Sequence, residues 1–466
     1  MGDAARLLPE PGSFRDPQTR VFYADGEVRR GLGPQAAQDW KALAASDFWA
    51  ATQAAGTTVR TDEAPAADGW AAVLGHERIP FVSYPYEWSY GMLRDAATLH
   101  LDLLRDALAA GFTMKDGSAY NLQWRGALPQ FVDIGSFEPA RPGEPWAGYR
   151  QFCQTMLYPL MLQAHLGLDF QPWLRARIDG IEPGQMRRLF GGTKRLLPGV
   201  LKNVHLHDAM QSRNAERSTG AVRDQLKDAG FNSELVAAAV RAMAKLVAKL
   251  DWQPPATHWG EYRGTCSYSE DDRAAKAAFV DAALAGADRL DLVLDLGAND
   301  GVYSRQAAER AGYVVAVEAD PAVVDLLHRD LRDEGNRTIL PLVMDLADPS
   351  PGGGWAGVER ASFAGRAAGA DAVLALALVH HLALGRNVPL PQVVDWLAGH
   401  GRLVVVEFVH PDDPMAQRLL ANKPDGLFPD YHRDAFEKAL AERLTIARRE
   451  ELPGGTRTLY AGVRRD

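Results

Sequence analysis

Past residue 290 the chain settles into one rhythm, and that rhythm constrains the fold more than anything else in it. Leu292 to Leu296, Val314 to Glu318, Thr338 to Met344, Ala372 to Leu376 and Arg402 to Phe408 are short apolar runs separated by helical or loop stretches. Strands buried on both faces read as continuous apolar runs, and helices between them cover the two faces of a parallel sheet. The spacing therefore predicts a doubly wound α/β domain. Two more runs, Thr445 to Glu450 and Thr456 to Val463, flank the turn signal "LPGG". They predict a closing hairpin, so that the last strand runs antiparallel.

The first half reads differently. "RVFYADGEVRR", Arg20 to Arg30, is a short hairpin with Asp25-Gly26 at its turn. Helical patterns follow over Pro34 to Ala55, Tyr86 to Gly111, Trp146 to Leu166 and Asn232 to Leu250. "HLHD", His205 to Asp208, reads as a solvated loop rather than a metal site. The paired prolines of "WQPPATHW", Trp252 to Trp259, cannot continue a helix. The boundary is set there, with a mostly helical α+β domain over 1–252 and the α/β domain over 253–466.

The formal charge of −9 argues against a duplex nucleic-acid partner, which needs a basic face. Cys153 and Cys266 are far apart with no other obvious ligand nearby, which predicts neither a disulfide framework nor a structural metal and fits a reducing cytoplasm. The opening "MGDAARLLPEPGSFRDP" lacks the apolar core of a signal peptide, and no run is long enough to span a bilayer. Nothing in the sequence sets an oligomeric state.

The first strand runs into "VLDLGANDGVYS". Ligands of open α/β sheets sit at the carboxyl ends of the strands. Gly297 and Gly301 let the backbone turn tightly, and Asn299 tolerates a left-handed conformation. Asp295 closes the strand with a carboxylate, and Glu318 closes the next one, where an acid can hold a ribose diol. A dinucleotide fingerprint would want glycine at 299 and 302, where this chain has Asn299 and Val302. An acidic turn suits a cationic nucleoside better than a pyrophosphate.

Asp295-x-Gly297-x-Asn299-x-Gly301, then Glu318, then "MDLAD" with Asp345, resembles the class I S-adenosylmethionine-dependent methyltransferases over residues 260–466. The resemblance implies a Rossmann-like seven-stranded sheet with an antiparallel last strand and S-adenosyl-L-methionine as cofactor. It implies that Asp295 and Gly297 face the methionine part, that Glu318 holds the ribose hydroxyls, that Asp345 hydrogen-bonds the adenine amino group with Leu346 beside it, and that Asn299, Asp300, Gly301 and Leu376 are further cofactor contacts. Leu376 lies at the tip of the fourth strand. Tyr262 and Tyr268, in "WGEYRGTCSYSEDD", are the candidates to cover the cofactor.

Methyl transfer requires alignment and, for a hydroxyl or amine, removal of a proton. "LALALVHHLAL" sets His380 and His381 just after the fourth strand, and either is a candidate base. The Asn-Pro-Pro-Tyr or Asp-Pro-Pro-Tyr signature common at this edge in methyltransferases of nucleic-acid amino groups is absent. The expected acceptor is a small molecule methylated at oxygen or nitrogen. The long connection after the fifth strand offers Glu407, His410, Arg418 and Tyr431, with Asp412, Asp413 and Asp430, as candidate acceptor contacts.

In the first half, Asp116, Asn121 and Asp133 stand at a spacing that resembles the catalytic loop and metal-binding aspartate of protein-kinase and aminoglycoside-phosphotransferase folds. Met114 and Lys115 replace the usual residues before the aspartate, and no glycine-rich phosphate loop is visible in residues 1–80. A degenerate kinase-like lobe that binds or encloses substrate, a phosphotransferase using magnesium and ATP, and a plain helical domain all remain open. So does a regulatory protein that binds the cofactor without catalysis.

Overall fold

The computed structural model describes residues 8–24, 26–141, 144–209, 233–254 and 268–465. The chain forms two compact units. One gathers Met1–Trp124, Pro129–Gln253 and Gly353–Arg360; the other gathers Arg125–Leu128, Pro254–Gly352 and Ala361–Asp466.

The first unit opens with an antiparallel sheet of β1 (Leu8–Pro9), β2 (Thr19–Ala24), β3 (Glu27–Leu32), β4 (Thr61–Glu63) and β5 (Ala72–His76), in the order β1-β2-β3-β5-β4. The expected hairpin is β2–β3, closing from Ala24 to Glu27 around Gly26 at φ 82°. A long helix, Tyr90–Ala109, follows. Ser89 caps it by accepting from the Met92 amide. It buries Leu93, Ala96, Ala97, Leu101 and Leu104 on one face, and Gly111 beyond it adopts φ 84°.

Four short strands come next. β6 (Phe112–Met114) pairs with β9 (Phe137–Pro139), and β7 (Leu122–Arg125) pairs with β8 (Leu128–Phe131). The apolar stretch after Trp146 is helical but interrupted by a π-turn at Cys153–Leu157. Pro159 has no N–H with which to close the next α-turn. "HLHD" is not a loop. Leu201–Leu206 form a π-helical turn in which the ring of His205 meets the Phe190 carbonyl at 3.0 Å. The ring of His207, buried, meets the Tyr158 hydroxyl at 2.7 Å. Local polar partners thus satisfy both imidazoles.

The second unit is built on one seven-stranded sheet. Its strands are β10 (Leu292–Leu296), β11 (Tyr313–Glu318), β12 (Ile339–Val343), β13 (Ala370–Ala375), β14 (Gly401–Val409), β15 (Leu444–Glu451) and β16 (Arg457–Arg464). The order is β12-β11-β10-β13-β14-β16-β15. β10 to β14 are parallel, and β16 pairs antiparallel with β14. This is the doubly wound sheet with reversed last strand that the apolar runs and the "LPGG" hairpin predict. Helices Glu270–Ala285, Val302–Ala308, Pro321–Asp333, Leu390–His400 and Arg433–Arg443 connect or cover the strands. Phe279, Val280, Val293, Val314, Leu331, Leu374 and Val405 share one buried core.

No helix among the described residues is long and apolar enough to cross a membrane. Phe279 is fully buried in the core of the second unit. Phe279→Ala should cost about 3–5 kcal/mol of stability, read from chemical denaturation. A loss below about 1 kcal/mol would contradict this packing.

Candidate functional site

β10 delivers Asp295 to the carboxyl edge of the sheet, and the chain then turns through Gly297 at φ 81°, Asn299 at φ 47° and Gly301 at φ 77°. These left-handed residues are why the turn uses two glycines and an asparagine. At Gly301 an added Cβ would come within 2.7 Å of the Leu327 side chain, which would have to shift to admit it. Gly301 caps the helix Val302–Ala308 without lining the cavity.

Asp295 is 2% exposed. The Ser304 hydroxyl donates to its Oδ2 at 2.6 Å. Burial pushes its carboxyl up to about 6, against the opposing pull of Ser304 and of the Lys276 ammonium. Glu318 ends β11 and accepts three backbone amides. Those of Ala319 and Asp320 reach Oε1 at 2.6 and 3.1 Å, and that of Asn299 reaches Oε2 at 3.2 Å. Burial raises its pKa while the amides oppose the rise. Asp345, just past β12, accepts from the Ala347 amide at 2.9 Å and forms an exposed ion pair with Arg386.

These carboxylates line a single cavity of about 560 Å³ lying wholly within the second unit. Of the residues expected from sequence, it brings together Tyr268, Asp295, Gly297, Asn299, Asp300, Glu318, Asp345, Leu346, Leu376 and His381. Tyr262 lies outside the described residues.

The two histidines part company. His381 faces the cavity, and burial followed by the charge of Arg457 lowers its pKa to about 4. His380 is fully buried behind it, with ring centroids 4.1 Å apart and, among the described residues, no hydrogen-bond partner on either ring nitrogen. Burial drives its pKa well down.

The acceptor candidates after the fifth strand do not line this cavity. Glu407 lies inside β14, fully buried. The ring of His410 meets the Thr458 hydroxyl at 2.9 Å. Tyr431 is buried and donates to the Val409 carbonyl at 2.8 Å. Arg418 is exposed; its neighbour Leu419 reaches the cavity instead. Asp413 is buried against Arg457, and Asp412 and Asp430 are exposed.

Several cavity residues escaped the sequence reading: Arg273, Lys276, Tyr303, Ala377 and Arg386. One carried a signal. Lys276 lies on the same helical face as Phe279 and Val280, and a lysine inside an apolar stripe asks for a buried partner. Ala377, at φ 52° beyond β13, gives no such sign.

The strand order is that of a doubly wound α/β sheet with a reversed last strand, and an acidic cleft lies at its parallel strand tips. The nodulation protein NoeA of Rhizobium meliloti (strain 1021) is 32% identical over 462 residues, spanning 96% of this chain and 94% of that protein. The chain belongs to the family of this nodulation protein. No protein-family model matches it. Among solved structures, the N-methyltransferase NodS from Bradyrhizobium japonicum WM9 is 12% identical with a TM-score of 0.32, covering 42% of this chain and 99% of that one. Magnesium protoporphyrin IX methyltransferase from Synechocystis PCC 6803, with bound S-adenosylhomocysteine, is 16% identical with a TM-score of 0.31, covering 45% and 95%.

The raised pKa of Asp295 sets a stability prediction. Ionising it costs more in the folded chain than in the unfolded one. The penalty is absent below the ordinary aspartate value, grows as pH rises, and is complete above about 6. Asp295→Asn should therefore be more stable than wild type at pH 7, by up to ~3 kcal/mol, with the gap closing as pH falls towards 4. Urea unfolding at pH 7 and pH 4.5 measures this; a gap that widens at the lower pH contradicts it.

Proposed function

We propose that the second unit is an S-adenosylmethionine-dependent methyltransferase acting on oxygen or nitrogen of a small molecule. The observation that carries this reading is the single cavity in which Asp295, Glu318 and Asp345, from three adjacent strand ends, meet. The residues fit the nucleoside. Asp295 would take the cationic methionine amine, and Glu318, already oriented by three amides, would take the ribose hydroxyls. Asp345 and Leu346 would meet the adenine, with Arg386 giving up an exposed ion pair worth under about 1 kcal/mol.

When bound, the cofactor supplies a methyl group activated by its sulfonium. The chain's own residues have to align the acceptor and exclude water. His381, uncharged at neutral pH, would accept a hydrogen bond from the acceptor, while His380 packs behind it. Glu318→Ala should weaken S-adenosylmethionine binding by at least about tenfold, and Asp295→Asn should do the same. Unchanged calorimetric affinity in both would end this reading. His381→Ala should lower turnover more than cofactor affinity.

We read the first unit as a degenerate kinase-like lobe. What supports this is the strand pairing: Asp116 and Asn121 fall between β6 and β7, and Asp133 falls between β8 and β9. Asp116 is pushed above the usual carboxylate range by burial, with the charge of Asp133 adding to the rise. Asp133 is already engaged, because Arg30 Nη1 donates to its Oδ1 at 2.7 Å. That pair occupies an oxygen that a magnesium ion would need. No magnesium-dependent ATP turnover is expected from the full chain. Turnover abolished by Asp133→Ala would overturn the degenerate reading in favour of a phosphotransferase.

A further inference from the structure

Against one wall of the cavity lies a closed group of buried charges. Lys276 Nζ stands 2.7 Å from Glu407 Oε2 and donates to the Tyr268 hydroxyl at 2.9 Å. That hydroxyl donates in turn to Glu407 Oε1 at 2.7 Å. Arg457 Nη1 lies 3.5 Å from the same carboxylate. Its Nε and Nη2 donate to the two oxygens of Asp413 at 2.8 and 3.2 Å. The guanidinium sits 4.1 Å from the centre of the Tyr268 ring. Lys276, Glu407, Arg457 and Asp413 are each 3% exposed or less. They come from the helix Glu270–Ala285, from β14, from β16 and from the cap of the helix Pro414–Leu420.

Desolvating four ions costs several kcal/mol each, and packed apolar side chains would often do as well for stability alone. The group therefore calls for a use beyond holding the fold. Two of its contacts reach the cavity. Lys276 and Glu407 tether the phenol of Tyr268, whose ring lines the wall.

We propose that Lys276, Glu407 and Arg457 are positioning residues of the cavity, locking the Tyr268 ring into its wall. The proposal rests on the methyltransferase reading for what the cavity takes; the clamp itself does not.

Two measurements on the full chain test this. The first is a double-mutant cycle read by calorimetry with S-adenosylmethionine. Tyr268→Phe and Glu407→Gln should each weaken binding about tenfold, and the double variant should be no more than about twofold weaker than either. Independent, multiplying losses of about a hundredfold would overturn the clamp. Should Glu407→Gln fail to fold, Lys276→Gln completes the same cycle with Tyr268→Phe, which leaves the ion pairs standing.

The second measurement is the NMR signal of the Tyr268 ring without cofactor. Glu407→Gln and Lys276→Gln should each shift or broaden it, because each removes a hydrogen-bond partner of the phenol. A ring signal unmoved in both variants overturns the clamp. If the wild-type chain takes up no nucleoside, the methyltransferase reading falls, and the ring signal still decides for or against the positioning role.

Discussion

The parallel register of β10, β11 and β12 is the constraint on which the rest of the second unit depends. Leu296 pairs with Val317 and Glu318 pairs with Val343, so three strands end at one level. Asp295 is the last but one residue of β10, Glu318 is the last of β11, and Asp345 lies two residues past β12. A shift of one residue in any strand would turn its carboxylate to the other face. Burial makes ionised Asp295 costly, and the charges of Glu318 and Asp300 add to that cost. A cationic ligand offsets that cost, so part of its binding free energy is already stored in the sheet.

Much of this was legible in the sequence because it is local. β10 matches its apolar run residue for residue, since Leu292–Leu296 is bounded by charge on one side and a glycine turn on the other. The reversed last strand followed from two runs around Pro453 and Gly454. The turn residues of the cavity announced themselves through glycine and asparagine chemistry. What could not be read was alternation inside a longer strand. The apolar run ending at Phe408 suggested that Glu407 stood near a strand tip, where side chains meet ligands. The strand continues to Val409, and Glu407 points into the buried side instead. Tyr431 and His410 were drawn off similarly, each packing against Phe408 at 5.2 and 5.7 Å between ring centres.

The partners of Glu407 show why. Lys276 precedes the sheet, Arg457 lies in the last strand, and only the folded topology brings them to the fifth strand. A lysine in an apolar helical stripe tells a reader that a counter-ion is needed, but not which one. The adjacent histidines illustrate the same limit at shorter range. Consecutive residues in a helical turn point about 100° apart, so one of the pair faces the cavity and the other does not. Which one depends on how the π-turn His381–Gly385 sits on β13, and nothing in "VHHLAL" encodes that.

The field on His381 also narrows its chemistry. A base works best when its pKa lies near the working pH. An imidazole held near 4 by burial and a neighbouring guanidinium takes a proton poorly from an alcohol, and binds one only weakly even after transfer. It remains a good hydrogen-bond acceptor, able to orient an N–H while the nitrogen lone pair attacks, so that proton loss follows methyl transfer and needs no strong base; an oxygen acceptor would have to lose its proton before the transfer. On the proposed reading, burial and the charge of Arg457 would keep His381 in the uncharged state that can accept a hydrogen bond from the acceptor.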